Sequence, residues 1–355
     1  MPRNLKQGAT IVDIAKKLGL SAMTVSRALT GNPEVSDKTR QQVVRCAKAM
    51  GYQPNRWARS LVTRRSSIIG VVIPDISHSF FAKITCGIEE VVETAGYDIL
   101  LCHSRGDAER EKAEIDMLTG SRVDGLIVAS EQPEKLPGLF VQLRERDIPF
   151  VLVDRFFPET DFPCVRVDDR AVGKLAANCL ADLGHTRIAL IEGPSLSTAS
   201  LRRKGYLAAL KSRGIESRSE WIVNGDFELD GGREAMRRLL QTEPRPTAVF
   251  ASNDPMAIGA VYACRDAGLE IPRDISIVGA GNIEGPHHPN PFLTTVDWPR
   301  EEMGRTAGRL LLEAITTPER RNGGGKIFEP KLLMRQSTAK SADQAGHAGK
   351  VYTGV

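Results

Sequence analysis

Apolar residues at the front of the chain recur every three or four positions. In TIVDIAKKLGL, Ile11, Ile14, Ala15 and Leu18 share one face of a helix that Thr10 caps. Asp13, at the third helical position, completes a capping box, and Gly19 ends the helix. Ser21 caps a second helix with Val25, Ala28 and Leu29 inward, so two short helices meet at a tight glycine turn, a helix-turn-helix. A third helix follows the Ser36 cap through DKTRQQVVRCAKAM, with Val43, Val44, Ala47 and Met50 as its expected core stripe and Gly51 at its end. From residue 68 the pattern changes. The apolar runs SIIGVVIPD, YDILLCHS, VDGLIVAS and PFVLVDR each precede a helical segment, and RIALIEG, EWIVNGDF, TAVFASND and DISIVGAG repeat the alternation. This predicts parallel sheets in right-handed βαβ units, arranged as two similar lobes. Ligands of such folds bind beyond the carboxyl ends of strands, which singles out Asp75, Asp154, Gly193, Phe227, Asn253 and Gly281.

Between the two patterns lies NRWARSLVT, residues 55–63. It reads as helix but falls short of the roughly 12–15 residues an isolated helix needs in water, so a partner must order it. Charge indicates the partner's class. The first 65 residues hold 13 Lys and Arg against 3 Asp and Glu, in a chain whose totals are 48 and 44, so the excess of positive charge sits at the front. A folded, basic helical module is expected to bind a polyanion. The outward face of its second helix offers Ala22, Met23, Thr24, Ser26 and Arg27 to a DNA groove. Arg27 suits guanine O6 and N7, Ala22 and Met23 suit a thymine methyl, and Thr24, Ser26 and Thr39 suit phosphates.

At 355 residues the chain is too long for one core and suits a small module plus one large or two medium domains. Its longest apolar runs, such as IIGVVI, fall far short of the roughly 20 residues that span a bilayer, and its first residues lack the apolar stretch of a signal peptide. A cytoplasmic location is expected, with no membrane partner. Cysteines 46, 86, 102, 164, 179 and 264 occur singly, so no disulfide framework, metal site or cofactor is expected, and they are read as small buried residues.

TIVDIAKKLGLSAMTVSRAL, VSDKTRQQV, GYQPN and ARSL, in that order and spacing, resemble the N-terminal signature of the LacI/GalR family of bacterial transcription regulators. DISHSFFAKITCGIEEVVETAGYDI, LGHTRIALIEGP, RRKGYLAAL, FASNDPMAIGA and LTTVDWP extend the resemblance over roughly residues 68–338. The resemblance implies an all-α helix-turn-helix module (1–54), a hinge helix and linker (55–67) and an α/β periplasmic-binding-protein-like core of two parallel-sheet lobes (68–338). Residues 68–167 and 297–325 would form the N-lobe, 168–296 and 326–338 the C-lobe, with crossings near Val167, Asp297 and Gly325. Residues 339–355 are read as a disordered tail. The hinge helix would order only when two subunits sit side by side on pseudo-palindromic double-stranded operator DNA. Asn55 would cap it, Ala58 would allow close approach of the twin, Arg56 and Arg59 would meet phosphates or the groove floor, and Leu61 would wedge between base pairs. Thr10, Ser21 and Tyr52 complete the expected DNA contacts.

By the same resemblance, Arg202 matches the family's effector-binding arginine, and Asp75, Phe80, Phe81, Asp154, Phe227 and Asn253 fall on cleft-lining positions. Gly281 stands where the family commonly has an aspartate. Loss of that carboxylate near Arg202 suggests an anionic effector, a sugar acid or phosphosugar, rather than the plain sugar. The function expected is that of a homodimeric regulator, a repressor, whose operator affinity is set by a small carbohydrate-derived effector. The competing class is a cytoplasmic carbohydrate-modifying enzyme with an accessory basic module. GAGNIEG at 279–285 superficially suggests a dinucleotide loop, but its spacing is wrong and the following PHHPNPF does not start a helix. A sequence-blind nucleoid binder is a third possibility, separable by its salt dependence alone.

Overall fold

The structure is a computed structural model whose described residues are 9–52, 65–77, 79–133, 137–283, 292–321 and 323–341. The hinge-helix expectations on Asn55, Arg56, Ala58, Arg59 and Leu61 lie outside the described residues. The chain divides into two units, one ending at Ser66 and the other starting at Ser67.

The first unit is three helices, α1 (Ile11–Leu18), α2 (Ala22–Leu29) and α3 (Asp37–Ala49). Local chemistry sets their ends. The Thr10 hydroxyl accepts the Asp13 amide while the Asp13 carboxylate accepts the Thr10 amide at 2.9 Å, and Gly19 stops α1 at φ 66°. Ser21 accepts the Thr24 amide at 3.0 Å and Ser36 the Thr39 amide at 3.3 Å, each satisfying a donor that a helix start leaves open. Ile14, Val25 and Val43 are fully buried and meet Ala15, Ala28, Val35, Cys46 and Ala47 in one small core. Val44 does not join it. It is 49% exposed, because Val43, Cys46, Ala47 and Met50 follow the i, i+3, i+4, i+7 stripe and Val44 sits a hundred degrees off it.

The second unit holds two six-stranded sheets. The first runs β11-β5-β4-β3-β1-β2, from β1 (Ile68–Ile73), β2 (Asp98–His103), β3 (Gly125–Val128), β4 (Phe150–Val153), β5 (Cys164–Val167) and β11 (Gly325–Phe328). The second runs β12-β10-β9-β8-β6-β7, from β6 (Ile188–Glu192), β7 (Ile222–Asn224), β8 (Ala248–Ala251), β9 (Ser276–Ala280), β10 (Thr294–Asp297) and β12 (Lys331–Leu333). Central strands such as GLIV and AVFA are buried along their whole length, as parallel strands covered on both faces must be. Pairing is parallel except at the edge, where β12 runs antiparallel to β10.

Helices α4 (Ser79–Thr94), α5 (Ala108–Gly120), α6 (Gly138–Glu145) and α11 (Arg300–Thr316) flank the first sheet. Helices α7 (Asp169–Asp182), α8 (Ser197–Ser212), α9 (Leu229–Leu240) and α10 (Asp254–Asp266) flank the second. The chain therefore passes between lobes after Val167, after Asp297 and after Phe328. The third passage falls beyond the expected Gly325, because Gly325–Phe328 pair residue for residue with Cys164–Val167; only Glu329 and Pro330 cross. The first residues of the expected tail are packed. The Ala339 amide donates to Ser276 Oγ at 3.1 Å and the Ser341 amide to the Leu183 carbonyl at 2.8 Å, so residues 339–341 are packed on the second lobe. Nor are all cysteines buried: Cys86 is exposed, while Cys46, Cys179 and Cys264 are inside.

Three helix pairs touch backbone to backbone through reciprocal glycines: Gly87 and Gly304 between α4 and α11, Gly173 and Gly205 between α7 and α8, Gly232 and Gly259 between α9 and α10. A Cβ on Gly173 would collide with the Arg202 carbonyl, and one on Gly205 with the Arg170 carbonyl. Gly205→Ala is expected to destabilise the protein by about 1–3 kcal/mol, since a backbone carbonyl cannot swing aside, and this outweighs the roughly 1 kcal/mol that alanine gains over glycine in a helix. Thermal unfolding checks it, and a midpoint equal to or above that of the parent would show the helices can part at no cost.

Candidate nucleic-acid face and ligand cleft

On the first unit, Ala22, Met23 and Arg27 are exposed and Thr24 and Ser26 half-buried along the outer side of α2. Several of the expected contact groups also serve the fold. The Thr10 hydroxyl bonds the Asp13 carboxylate at 2.7 Å, and the Ser21 and Thr24 hydroxyls share a bond of 2.8 Å. Thr39 bonds the Ser36 hydroxyl at 2.9 Å, and Tyr52 donates its amide to the Ala47 carbonyl at 2.9 Å while its ring packs on the small core. Arg27 Nη1 donates to Glu34 Oε2 at 2.8 Å, a partner in the α2–α3 turn that periodicity does not single out.

On the second unit, a cavity of about 780 Å³ opens between the carboxyl ends of the two sheets, and Asp75, Phe80, Phe81, Asp154, Arg202, Phe227, Asn253 and Gly281 all line it. Asp75 accepts the Ser77 amide at 2.8 Å. Phe80 and Phe81 begin α4 and are nearly buried, with Phe80 edge-on to Phe81 at 4.9 Å and to Trp298 at 5.8 Å between ring centroids. Asn253 is a helix cap and a wall residue at once: its Oδ1 accepts the Met256 amide at 3.0 Å and its Nδ2 donates to the Phe227 carbonyl at 2.7 Å. That bond pins Phe227 at φ 72°, with its ring over Gly193, where a side chain would collide with it. Gly281, at φ 121°, gives its amide to the Val296 carbonyl at 2.8 Å and its own carbonyl to the Arg300 guanidinium.

Arg202, which lines the cavity, also has partners within the protein. Its Nε donates to Asp169 Oδ1 at 2.8 Å and its Nη1 to the Ser252 carbonyl at 2.7 Å, with the guanidinium 5.2 Å from the Trp298 ring centroid. A guanidinium buried to 4% exposure needs such partners, and the fully buried Asp169 supplies the charge. Arg202 is therefore neutralised from within, which removes the reason for expecting an anionic ligand. Burial pushes the Asp169 carboxyl up, against the opposing pull of Arg202.

Asp154 stands at φ 68° just after β4, and burial pushes its carboxyl up as well. Among the described residues its Oδ1 accepts no hydrogen bond, and Trp298 Nε1, 2% exposed as a residue, donates none. Arg155 Nη1 meets Glu131 Oε1 at 2.5 Å and the Ser130 carbonyl at 3.0 Å. Behind them, the fully buried Glu111 accepts the Ser130 hydroxyl at 2.9 Å and the Glu131 amide; burial pushes its carboxyl up to about 7. Glu131, Arg155 and Trp298 were not anticipated as wall residues. The available signals were slight: Arg155 directly follows a singled-out aspartate, and Trp298 follows the second crossing. Among the described residues, no cluster of His, Cys, Asp and Glu is arranged to hold a metal.

Residues 66–331 match the family of periplasmic binding proteins and sugar binding domain of LacI family, and residues 10–55 match bacterial regulatory proteins, lacI family. The HTH-type transcriptional repressor PurR of Photorhabdus laumondii is 36% identical over 332 residues, 93% of this chain and 96% of that protein. PurR of Yersinia enterocolitica is 37% identical over 334 residues, with 93% and 97% covered. Among solved structures, the lac repressor dimer bound to operator and the anti-inducer ONPF superposes with a TM-score of 0.83 at 27% identity, covering 94% of this chain and all of that one. The transcriptional regulator CelR–cellobiose complex gives 0.70 at 32% identity, with 93% and 99% covered. The chain belongs to the LacI family of bacterial regulatory proteins.

Proposed function

We propose that the protein is a transcriptional repressor that binds a pseudo-palindromic operator as a homodimer through α2 and releases or tightens its grip when a small polyhydroxylated effector fills the cleft. The PurR relatives are named as repressors, and the solved relatives hold operator DNA in one case and cellobiose in another. No helix among the described residues is long and apolar enough to cross a membrane, and an operator as partner places its work in the cytoplasm. Regulation requires no catalytic group, so each wall residue has a binding role.

The observation that carries the effector reading is that the cavity wall holds buried polar atoms without hydrogen-bond partners, two of them Asp154 Oδ1 and Trp298 Nε1. A buried polar atom without a partner costs on the order of 1–3 kcal/mol, so a ligand that satisfies both is favoured. A hydroxyl donates to the carboxylate and another accepts from the indole. The aromatic rings of Phe80, Phe227 and Trp298 in the wall suit the apolar C–H faces of a sugar ring. The wall's charged groups are Asp75, Glu131, Asp154, Asp226 and Glu228 against Arg105, Arg155 and Arg202, and the inner two arginines already pair with Glu131 and Asp169. An added anion would meet repulsion, so the neutral sugar is favoured over its acid or phosphate. Cleft occupancy would alter the angle between lobes and the spacing of the dimer, with a coupling of about 1–3 kcal/mol, or 5- to 150-fold in operator affinity.

Replacing Arg27 by alanine is expected to cost about 1–3 kcal/mol at one base-pair position and little elsewhere; equal affinity for every operator variant would remove Arg27 as the reader. In calorimetric titrations against aldoses and their matching acids and phosphates, the neutral compound should bind tighter in each pair. Asp154→Asn should weaken the neutral ligand by about 10- to 100-fold, the worth of a hydrogen bond to a charged group, while the acid gains. A parent protein that prefers the acid would refute this assignment of the cleft.

A further inference from the structure

Among the described residues of the basic first unit there are three carboxylates, and two have evident local duties. Asp13 closes the capping box of α1. Asp37 opens α3, where its charge suits the helix's positive end, and pairs with Arg40 at 3.3 Å. Glu34 caps nothing. Its side chain is 66% exposed, and it reaches Arg27 Nη1 at 2.8 Å.

The turn that carries Glu34 is held in place. The Glu34 amide donates to Asn32 Oδ1 at 2.8 Å, and Arg40 Nη2 donates to the Asn32 and Val35 carbonyls at 3.1 and 3.3 Å. The carboxylate is thus presented to Arg27 from a fixed point. Beside DNA, a carboxylate here repels phosphates and lowers affinity for any sequence. What it offers in exchange is geometric. A guanidinium carries five N–H groups in one plane, so with Nη1 engaged by Glu34 the edge formed by Nε and Nη2 stays available for guanine O6 and N7.

We infer that Glu34 is a positioning residue for Arg27: it holds the guanidinium in the base-reading orientation and penalises its capture by phosphate, so that the operator is chosen by sequence rather than by charge. The inference rests on the reading of Arg27 as a base reader. Without Glu34, Arg27 is free to swing to the backbone, and the protein binds DNA more tightly but less selectively. An exposed ion pair is worth little, so the expected change is a two- to five-fold loss of preference at one position, roughly the span of such pairs.

The test is selection of full-length protein on random-sequence duplexes followed by sequencing, with affinities measured on the best selected duplex and on an unselected duplex of equal length. Arg27→Ala should erase a guanine preference at one symmetric position of the motif. Glu34→Ala should flatten that same position about two- to five-fold and raise affinity for the unselected duplex. Glu34→Gln, which keeps an acceptor but not the charge, should retain more of the preference than alanine does. A Glu34→Ala motif identical to the parent's, or a uniform affinity gain with no positional change, overturns the positioning role while leaving Arg27 as reader. An unchanged motif in Arg27→Ala overturns the reader itself, and Glu34's role with it.

Discussion

The ion pair between Arg202 and Asp169 is the contact around which the ligand cleft is arranged. It is fully desolvated, so its net worth to stability is small or negative, because taking both charges out of water offsets most of their attraction. Its value is positional. Asp169 opens α7, Arg202 lies within α8, and the guanidinium also reaches the carbonyl of Ser252 beyond β8 and the ring of Trp298 beyond β10. Four elements are thereby tied to one planar group. The pair exists only because α7 and α8 approach to backbone contact at Gly173 and Gly205, each beside the other helix's carbonyl. With a side chain at either glycine the helices would stand further apart, and a charge that must be buried would lose the partner that makes burial tolerable.

The same logic governs the other acid groups of the cleft. Glu111, Glu131, Asp154 and Arg155 come from three different connections of the first lobe, yet they form one continuous chain of hydrogen bonds and ion pairs ending at the cavity. Its atoms without a hydrogen-bond partner, on Glu131, Asp154 and Arg155, and the nearby Trp298 Nε1 all belong to residues of the cavity wall. A wall that has met its own needs almost everywhere discriminates sharply at the few points where it has not.

What could be seen from the chain alone follows from the range of each interaction. Helix ends of the first unit are made by residues three apart, Thr10 with Asp13 and Ser21 with Thr24, and both were legible. Eight of the twelve strands, β1–β4 and β6–β9, were legible, most of them because buried parallel strands are apolar from end to end. Strands of four residues or fewer that lack such a run, β5, β10, β11 and β12, were not, and the third passage between lobes falls a few residues beyond its expected place at β11. All eight anticipated cleft residues come together, through resemblance and strand-end position. The partner of Arg202 was not visible, since Asp169 is 33 residues away and its proximity depends on two glycines that look like ordinary helix weaknesses in one dimension. Val44 was misjudged because it lies a hundred degrees from Val43, outside the arc that Val43, Cys46, Ala47 and Met50 share.

The interleaved path of the chain has a bearing on how the molecule is made. The lobe whose first strand begins at Ile68 obtains its covering helix α11 and its edge strand β11 only from residues 300–328, after all of the other lobe except its edge strand β12 and the segment up to Ser341 has been threaded. During synthesis on the ribosome, the first lobe's nascent sheet therefore waits with part of one flank bare while most of its neighbour is made, and each lobe receives its edge strand last. A premature stop just before α11 would leave that flank uncovered, giving quality-control proteases a recognisable defect in a protein whose other elements are mostly made.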